Sequence, residues 1–159
     1  MMNVWRTSKT EYASSAFTGI GATKVGGRFN SIGSPPVVYA ACDTLALALL
    51  EVLVHLHNRI APPDFSYVKA AIPDSVSREI LDTDQLPINW RMWPHPDSTR
   101  SIGDDWLAQK SSCVLLVPSA VTCVDFNCLI NPQHPDFVSI KVERPVPLEF
   151  DKRILDANA

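Results

Sequence analysis

The chain has 159 residues and a mass of 17.5 kDa, a size that suits one hydrophobic core and one domain over residues 1–159. Apolar residues make up 46% and charged residues 19%, which excludes disordered and fibrous classes. The net charge of −3 speaks against direct nucleic-acid binding, and the longest aliphatic run, Leu45–Leu50, falls far short of the ~20 residues of a membrane span. The N-terminus, Met-Met-Asn-Val-Trp-Arg-Thr-Ser-Lys, has no apolar signal core, so a cytoplasmic location is expected.

Val4–Thr7 reads as an opening strand. Residues 11–34 carry Gly19, Gly21, Gly26, Gly27 and Gly33 and read as a long loop with little regular structure. Val37–Ala41 is a strand by its branched and aromatic content. Asp43 or Thr44 can cap the helix that follows, about Leu45–His57. That helix is apolar on nearly every face, which predicts a central element. Tyr67–Ile72 is a strand stopped by Pro73. Residues 84–101 are a Pro- and Trp-bearing excursion, and Gly103–Lys110 a short helix. Cys113–Val117 and Asn127–Ile130 are strands, and Val138–Val146 gives one or two more. Helices and strands mix without regular βαβ alternation, which favours an α+β fold.

The four cysteines form no Cys-x-x-Cys pair, and His55-x-His57 alone is a weak metal signal. Reduced core thiols and no metal are therefore expected. Glu51 is the most informative residue. At helical spacing its neighbours are Leu47, Ala48, Val54 and His55, so it has no evident solvated face. Burying an unpaired carboxylate costs several kcal/mol. It is either paired with an Arg or with His55, or it is a catalytic or binding carboxylate facing a cleft. Arg28 follows Gly26-Gly27, two glycines that let the backbone approach a ligand that a guanidinium grips, although taken alone the pair is better read as a turn with a solvated Arg. Neither a P-loop nor a dinucleotide fingerprint fits these glycines. Tyr39 is a core ring or a stacking surface. Ser119 ends a strand without a nucleophile elbow, so it bonds backbone or ligand. Arg6, if inward, needs an anion or a carboxylate such as Glu51.

Taken in order, these residues form a pattern. Trp5-Arg6, Phe17-x-Gly19-x-Gly21-Ala22, Gly26-Gly27-Arg28-Phe29-Asn30-x-x-Gly33, Val38-Tyr39-Ala40 and Ala46-x-Ala48-x-Leu50-Glu51-x-x-x-His55 resemble the RES domain. The resemblance continues through Gly103-Asp104-x-Trp106, Val117-Pro118-Ser119 and Asn127-x-Leu129-Ile130-Asn131-Pro132-x-His134-Pro135. The three residues that name the family correspond to Arg28, Glu51 and Ser119. Phe29 stands where the family often has Trp, and Asp125 where it often has Glu.

The resemblance implies the toxin of a bacterial type II toxin–antitoxin pair, with a fold similar to ADP-ribosyltransferases. It implies cleavage of the nicotinamide–ribose bond of NAD+, which is substrate and not cofactor, with water or phosphate as acceptor. Glu51 would stabilise the oxocarbenium-like transition state. Arg28 would hold the diphosphate or orient the ribose, Tyr39 would lie against the nicotinamide, and Ser119 would bond the ribose or Glu51. Arg6 would add a phosphate contact and Gly27 would allow close approach. The implied partner is an Xre-type helix-turn-helix antitoxin that masks the site and binds DNA. Self-association into a homodimer, over apolar surface in residues 84–101, is a further expectation. Two other readings stay open: ADP-ribose transfer to a protein, which Leu49 two residues before Glu51 disfavours, and a non-enzymatic interaction module. A ribonuclease would want His pairs and a basic groove, and neither is evident.

Overall fold

A computed structural model describes residues 1–56 and 64–155. Its frame is an eight-stranded sheet. The strands are β1 (Met2–Lys9), β2 (Val38–Cys42), β3 (Phe65–Ile72), β4 (Arg78–Ile80), β5 (Val114–Pro118), β6 (Phe126–Ile130), β7 (Lys141–Val142) and β8 (Val146–Leu148). They run in the order β4-β5-β6-β2-β1-β3-β7, with β8 also on β3. Every pairing is antiparallel except β4 with β5. A parallel pair needs a crossover, and α3 (Asp97–Gln109) lies within it. The α+β expectation holds.

Strand alternation divides the core between two faces. Val4, Val38, Ala40, Val68, Ala70, Val114, Cys128 and Ile130 pack on one, beneath Ala13, Ala16 and Phe17. Phe29, Trp90, Trp106, Leu107, Leu115, Val117 and Leu129 pack on the other, with Tyr39 beside them. The register agrees: Tyr39 and Leu115 both oppose Leu129, whereas Ala40 opposes Cys128. Cys42, Cys113 and Cys128 are buried free thiols, and Cys123 is exposed.

Several expectations need correction. Residues 11–34 are not structureless: a 3-10 segment spans Thr10–Ser15 and a short helix α1 spans Ile20–Val25. The excursion is shorter and the helix after it longer, because α3 already begins at Asp97. The late segment is a 3-10 turn, Pro135–Ser139, followed by the short strands β7 and β8. β4 has only three residues and left no periodic signal. The largest correction concerns α2 (Leu45–Leu53), capped by Thr44, whose hydroxyl accepts from the Leu47 N–H at 3.2 Å. It is not central. Only Leu47 and Ala48 are buried, against Ala41 and Trp5, while Leu50 is 43% and Val54 56% exposed. The sheet contacts one side of the helix, through Ala41 and Trp5, and the side that carries Leu50 stays outside. His57, and with it the His55-x-His57 pair and the last expected helical residue, lies outside the described residues.

α3 approaches the sheet side through Gly103. A Cβ there would stand 1.7 Å from the Phe29 carbonyl oxygen. One residue on, the Asp104 carboxylate accepts from the Ser31 N–H at 3.0 Å and its hydroxyl at 2.6 Å. This docking fixes the segment that carries Arg28. Because backbone meets backbone, a methyl group has nowhere to go. Gly103→Ala is expected to destabilise the fold by about 3 kcal/mol, lowering the melting temperature by roughly 10 °C. An unchanged thermal midpoint would refute the close approach.

Candidate active site

Glu51 sits near the end of α2. β2 lies beside β6 and β6 beside β5, so three segments distant in sequence meet there. Ser119 follows β5, and Asn127 on β6 opposes both Ala41 and Val117. The Ser119 hydroxyl donates to Glu51 Oε1 at 2.7 Å, and Asn127 Nδ2 donates to the same oxygen at 2.6 Å. Among the described residues, Oε2 accepts no bond. Ser119 is itself fixed: its oxygen accepts from the Val121 and Thr122 N–H groups at 3.1 and 3.3 Å, and its side chain is buried. Among the described residues, neither an Arg nor His55 pairs with Glu51 by hydrogen bond. The two donors hold the carboxylate as an anion acceptor with one oxygen left over.

Arg28 stands at the tip of a tight turn, closed by the Gly27 N–H donating to the Asn30 carbonyl at 2.9 Å. Tyr39 supports the turn from β2. Its hydroxyl accepts from the Phe29 N–H at 3.0 Å and donates to Asn30 Oδ1 at 2.7 Å. Burial pushes the Tyr39 hydroxyl well above its usual range, so it stays protonated. A Cβ at Gly27 would come within 2.7 Å of that hydroxyl, which is why glycine stands there. The Gly27 carbonyl accepts from Arg100 Nε at 3.3 Å. Phe29 is buried against α3, so the smaller ring fills the place expected for Trp.

The Arg28 guanidinium is half-buried and donates Nη1 to the carbonyls of Trp90 and, at 3.1 Å, Met92. Burial pulls it below the usual arginine range, and the Glu51 charge pulls it back up. The two name residues therefore share one electrostatic site. Arg6 is elsewhere. Trp5 and Thr7 face α2, where Thr7 Oγ1 donates to the Ala48 carbonyl at 3.4 Å, so alternation turns Arg6 away from Glu51. Its Nη1 donates to the Tyr39 carbonyl at 2.6 Å, and its Nε is buried without a partner among the described residues. Asp125, the other departure, acts through its main chain, its carbonyl accepting from the Ser119 N–H at 2.9 Å.

Three participants carried no separate signal in the sequence. Asn127 was visible only as part of the late motif. Trp93 and His95 lie in the excursion. Their rings meet edge to face at 4.5 Å, and Trp93 lies 5.8 Å from the His55 ring. Burial, then the charges of Arg28, Arg100 and His55, pull His95 down to about 4. Among the described residues, no three His, Cys, Asp or Glu side chains form a metal-ligand group.

The depressed His95 pKa has a consequence for stability. Between its ordinary 6.5 and about 4, the unfolded chain binds this proton and the folded chain does not. Stability therefore falls as pH drops through that window. His95→Gln is expected to flatten the decline of melting temperature between pH 6.5 and 4, and equal slopes would exclude the assignment.

The RES domain family profile matches residues 3–151. The chain is 35% identical to Toxin Res of Yersinia enterocolitica over 154 residues, 96% of this chain and 99% of that protein. It is 36% identical to the Prs ADP-ribosylating toxin of Sphingobium sp. over 155 residues, 95% of each. The solved structure of the M. tuberculosis MbcT–MbcA toxin–antitoxin complex contains a chain of the same fold. Its TM-score is 0.76 at 16% identity, over 93% of this chain and 85% of that one. The turn of Arg28, the helix of Glu51 and the strand end of Ser119 all fall within the matched span, and the chain belongs to the RES domain family.

Proposed function

We propose that the chain is the toxin of a bacterial toxin–antitoxin pair and acts by cleaving the nicotinamide–ribose bond of NAD+ in the cytoplasm. One observation carries the reading: Glu51 has Oε1 pinned by Ser119 and Asn127 and leaves Oε2 unpaired among the described residues. On this reading the fold is an ADP-ribosyltransferase-like one.

The chemistry needs little more. As the C–N bond breaks, its electron pair moves onto the pyridinium nitrogen, and nicotinamide leaves neutral. No general acid is needed for that departure. Positive charge develops on the ribose, and a fixed carboxylate stabilises it. Oε2 of Glu51 also accepts from a ribose hydroxyl. Water or phosphate then attacks the ribose carbon, and the acceptor's proton goes to solvent. Ser119 and Asn127 act by positioning Glu51. Arg28 grips the diphosphate as its guanidinium turns from main-chain carbonyls to phosphate oxygens. Tyr39 lies beside the nicotinamide end and positions the Arg28 turn. Gly27 keeps that turn in place by leaving room for the Tyr39 hydroxyl. Arg6 takes no part in this reading, because it lies on the face of β1 turned away from Glu51 and donates to the Tyr39 carbonyl.

The partner on this reading is an Xre-type helix-turn-helix antitoxin that covers the site and supplies DNA binding, which a chain of net charge −3 does not need to provide. Leu50 on α2 and Val54 just past its end, exposed on either side of Glu51 in the chain, are apolar surface for it to cover.

A second reading has one observation in its favour: the Sphingobium relative is named as an ADP-ribosylating toxin of Prs. The same bond breaks, but a protein takes the ADP-ribose. Nicotinamide release from NAD+, measured without any protein acceptor, separates the two. Free nicotinamide from the parent supports hydrolysis, or phosphorolysis where added phosphate accelerates it. Release only with a protein acceptor supports transfer.

Glu51→Gln is expected to fold and to release nicotinamide at least about a hundredfold more slowly. A Glu51→Gln variant as active as the parent would end the assignment. Asn127→Ala removes one charge-assisted bond, and turnover is expected to fall roughly ten- to hundredfold with the fold retained.

A further inference from the structure

We propose that Trp93, set between His55 and His95, is the wall on which the nicotinamide ring of NAD+ stacks. The proposal rests on the NAD+ reading above and names a part of that site to which neither the family pattern nor the relatives assign a role.

The placement comes from two directions. Arg28 donates to the Met92 carbonyl, so the residue next to Trp93 is tied to the Arg28 turn. His55 lies four residues past Glu51, and its ring is 5.8 Å from Trp93. The indole therefore stands at the end of α2 that carries Glu51. The scissile bond lies at Glu51, and the group beyond that bond is nicotinamide. A flat cationic ring suits an indole face, which attracts cations through its quadrupole.

The indole is also available. Trp90 and Trp106 are buried in the core, but Trp93 is 63% exposed although its ring touches two imidazoles. With that exposure at least one indole face is open. An exposed tryptophan fixed between two rings loses little side-chain freedom on binding. His95 keeps the wall free of added positive charge, since burial and its cationic neighbours hold it neutral at pH 7. Its Nδ1 is buried without a partner among the described residues, one more polar atom in this wall that is left without a bond.

The test uses steady-state nicotinamide release and tryptophan fluorescence. Trp93→Ala is expected to raise KM for NAD+ about five- to tenfold with a smaller change in kcat, and Trp93→Phe, which keeps a smaller flat ring, to raise it less. In the Glu51→Gln background, nicotinamide mononucleotide is expected to quench fluorescence, ADP-ribose to quench less, and Trp93→Phe to abolish the difference. Equal KM in the parent and Trp93→Ala overturns the wall, and so does quenching by ADP-ribose equal to that by the mononucleotide, which would place adenine there. Loss of antitoxin inhibition in Trp93→Ala with unchanged NAD+ kinetics also overturns it, making Trp93 a docking residue. If the parent releases no nicotinamide, the cleavage reading fails by itself, and the mononucleotide titration still decides whether Trp93 stacks.

Discussion

Everything at this site depends on one oxygen. Glu51 Oε1 takes hydrogen bonds from Ser119 and Asn127, and those two donors come from the ends of neighbouring strands. A carboxylate on a mostly apolar helix is costly to bury without partners. Here the cost is offset by two short bonds to a charged acceptor, each stronger than a neutral pair. The same bonds remove the rotational freedom of the carboxylate. Its second oxygen is then presented in one direction, which is what electrostatic stabilisation of a developing charge requires.

The Arg28 turn is held as firmly, by different contacts. The Arg28 turn is held from below by Tyr39, through Phe29 and Asn30, and from the side by α3, through Gly103 and Asp104. Two glycines have unlike reasons for being there. Gly103 lets two backbones meet, and Gly27 leaves room for the Tyr39 hydroxyl. Tyr39 thereby links sheet and turn while Ser119 and Asn127 link sheet and helix. The sheet is the common reference for the Arg28 turn and for Glu51, so its strand order fixes how they stand relative to each other. The excursion that carries Trp90, Met92, Trp93 and His95 adds a further link by offering main-chain carbonyls to Arg28 and a ring to His55.

The chain by itself determined what short-range chemistry can specify. A cap at Asp43 or Thr44 was readable for α2, Pro73 as the end of β3, and Val37–Ala41 and Asn127–Ile130 as strands, because capping, proline geometry and branched side chains act over a few residues. Glu51 stood out for the lack of an evident solvated face at helical spacing, and Arg28 for its glycines. Only the tertiary structure decided which groups answer them. Glu51 is bonded across 68 and 76 residues, and Arg28 across 62 and 64. Those partners follow from placing β2 beside β6 and β6 beside β5, a long-range pairing that no local period encodes. The exposure of α2 was misread for the same reason. An apolar helix reads as buried, but burial is decided by what packs against it, and the sheet covers α2 on one side alone, through Ala41 and Trp5.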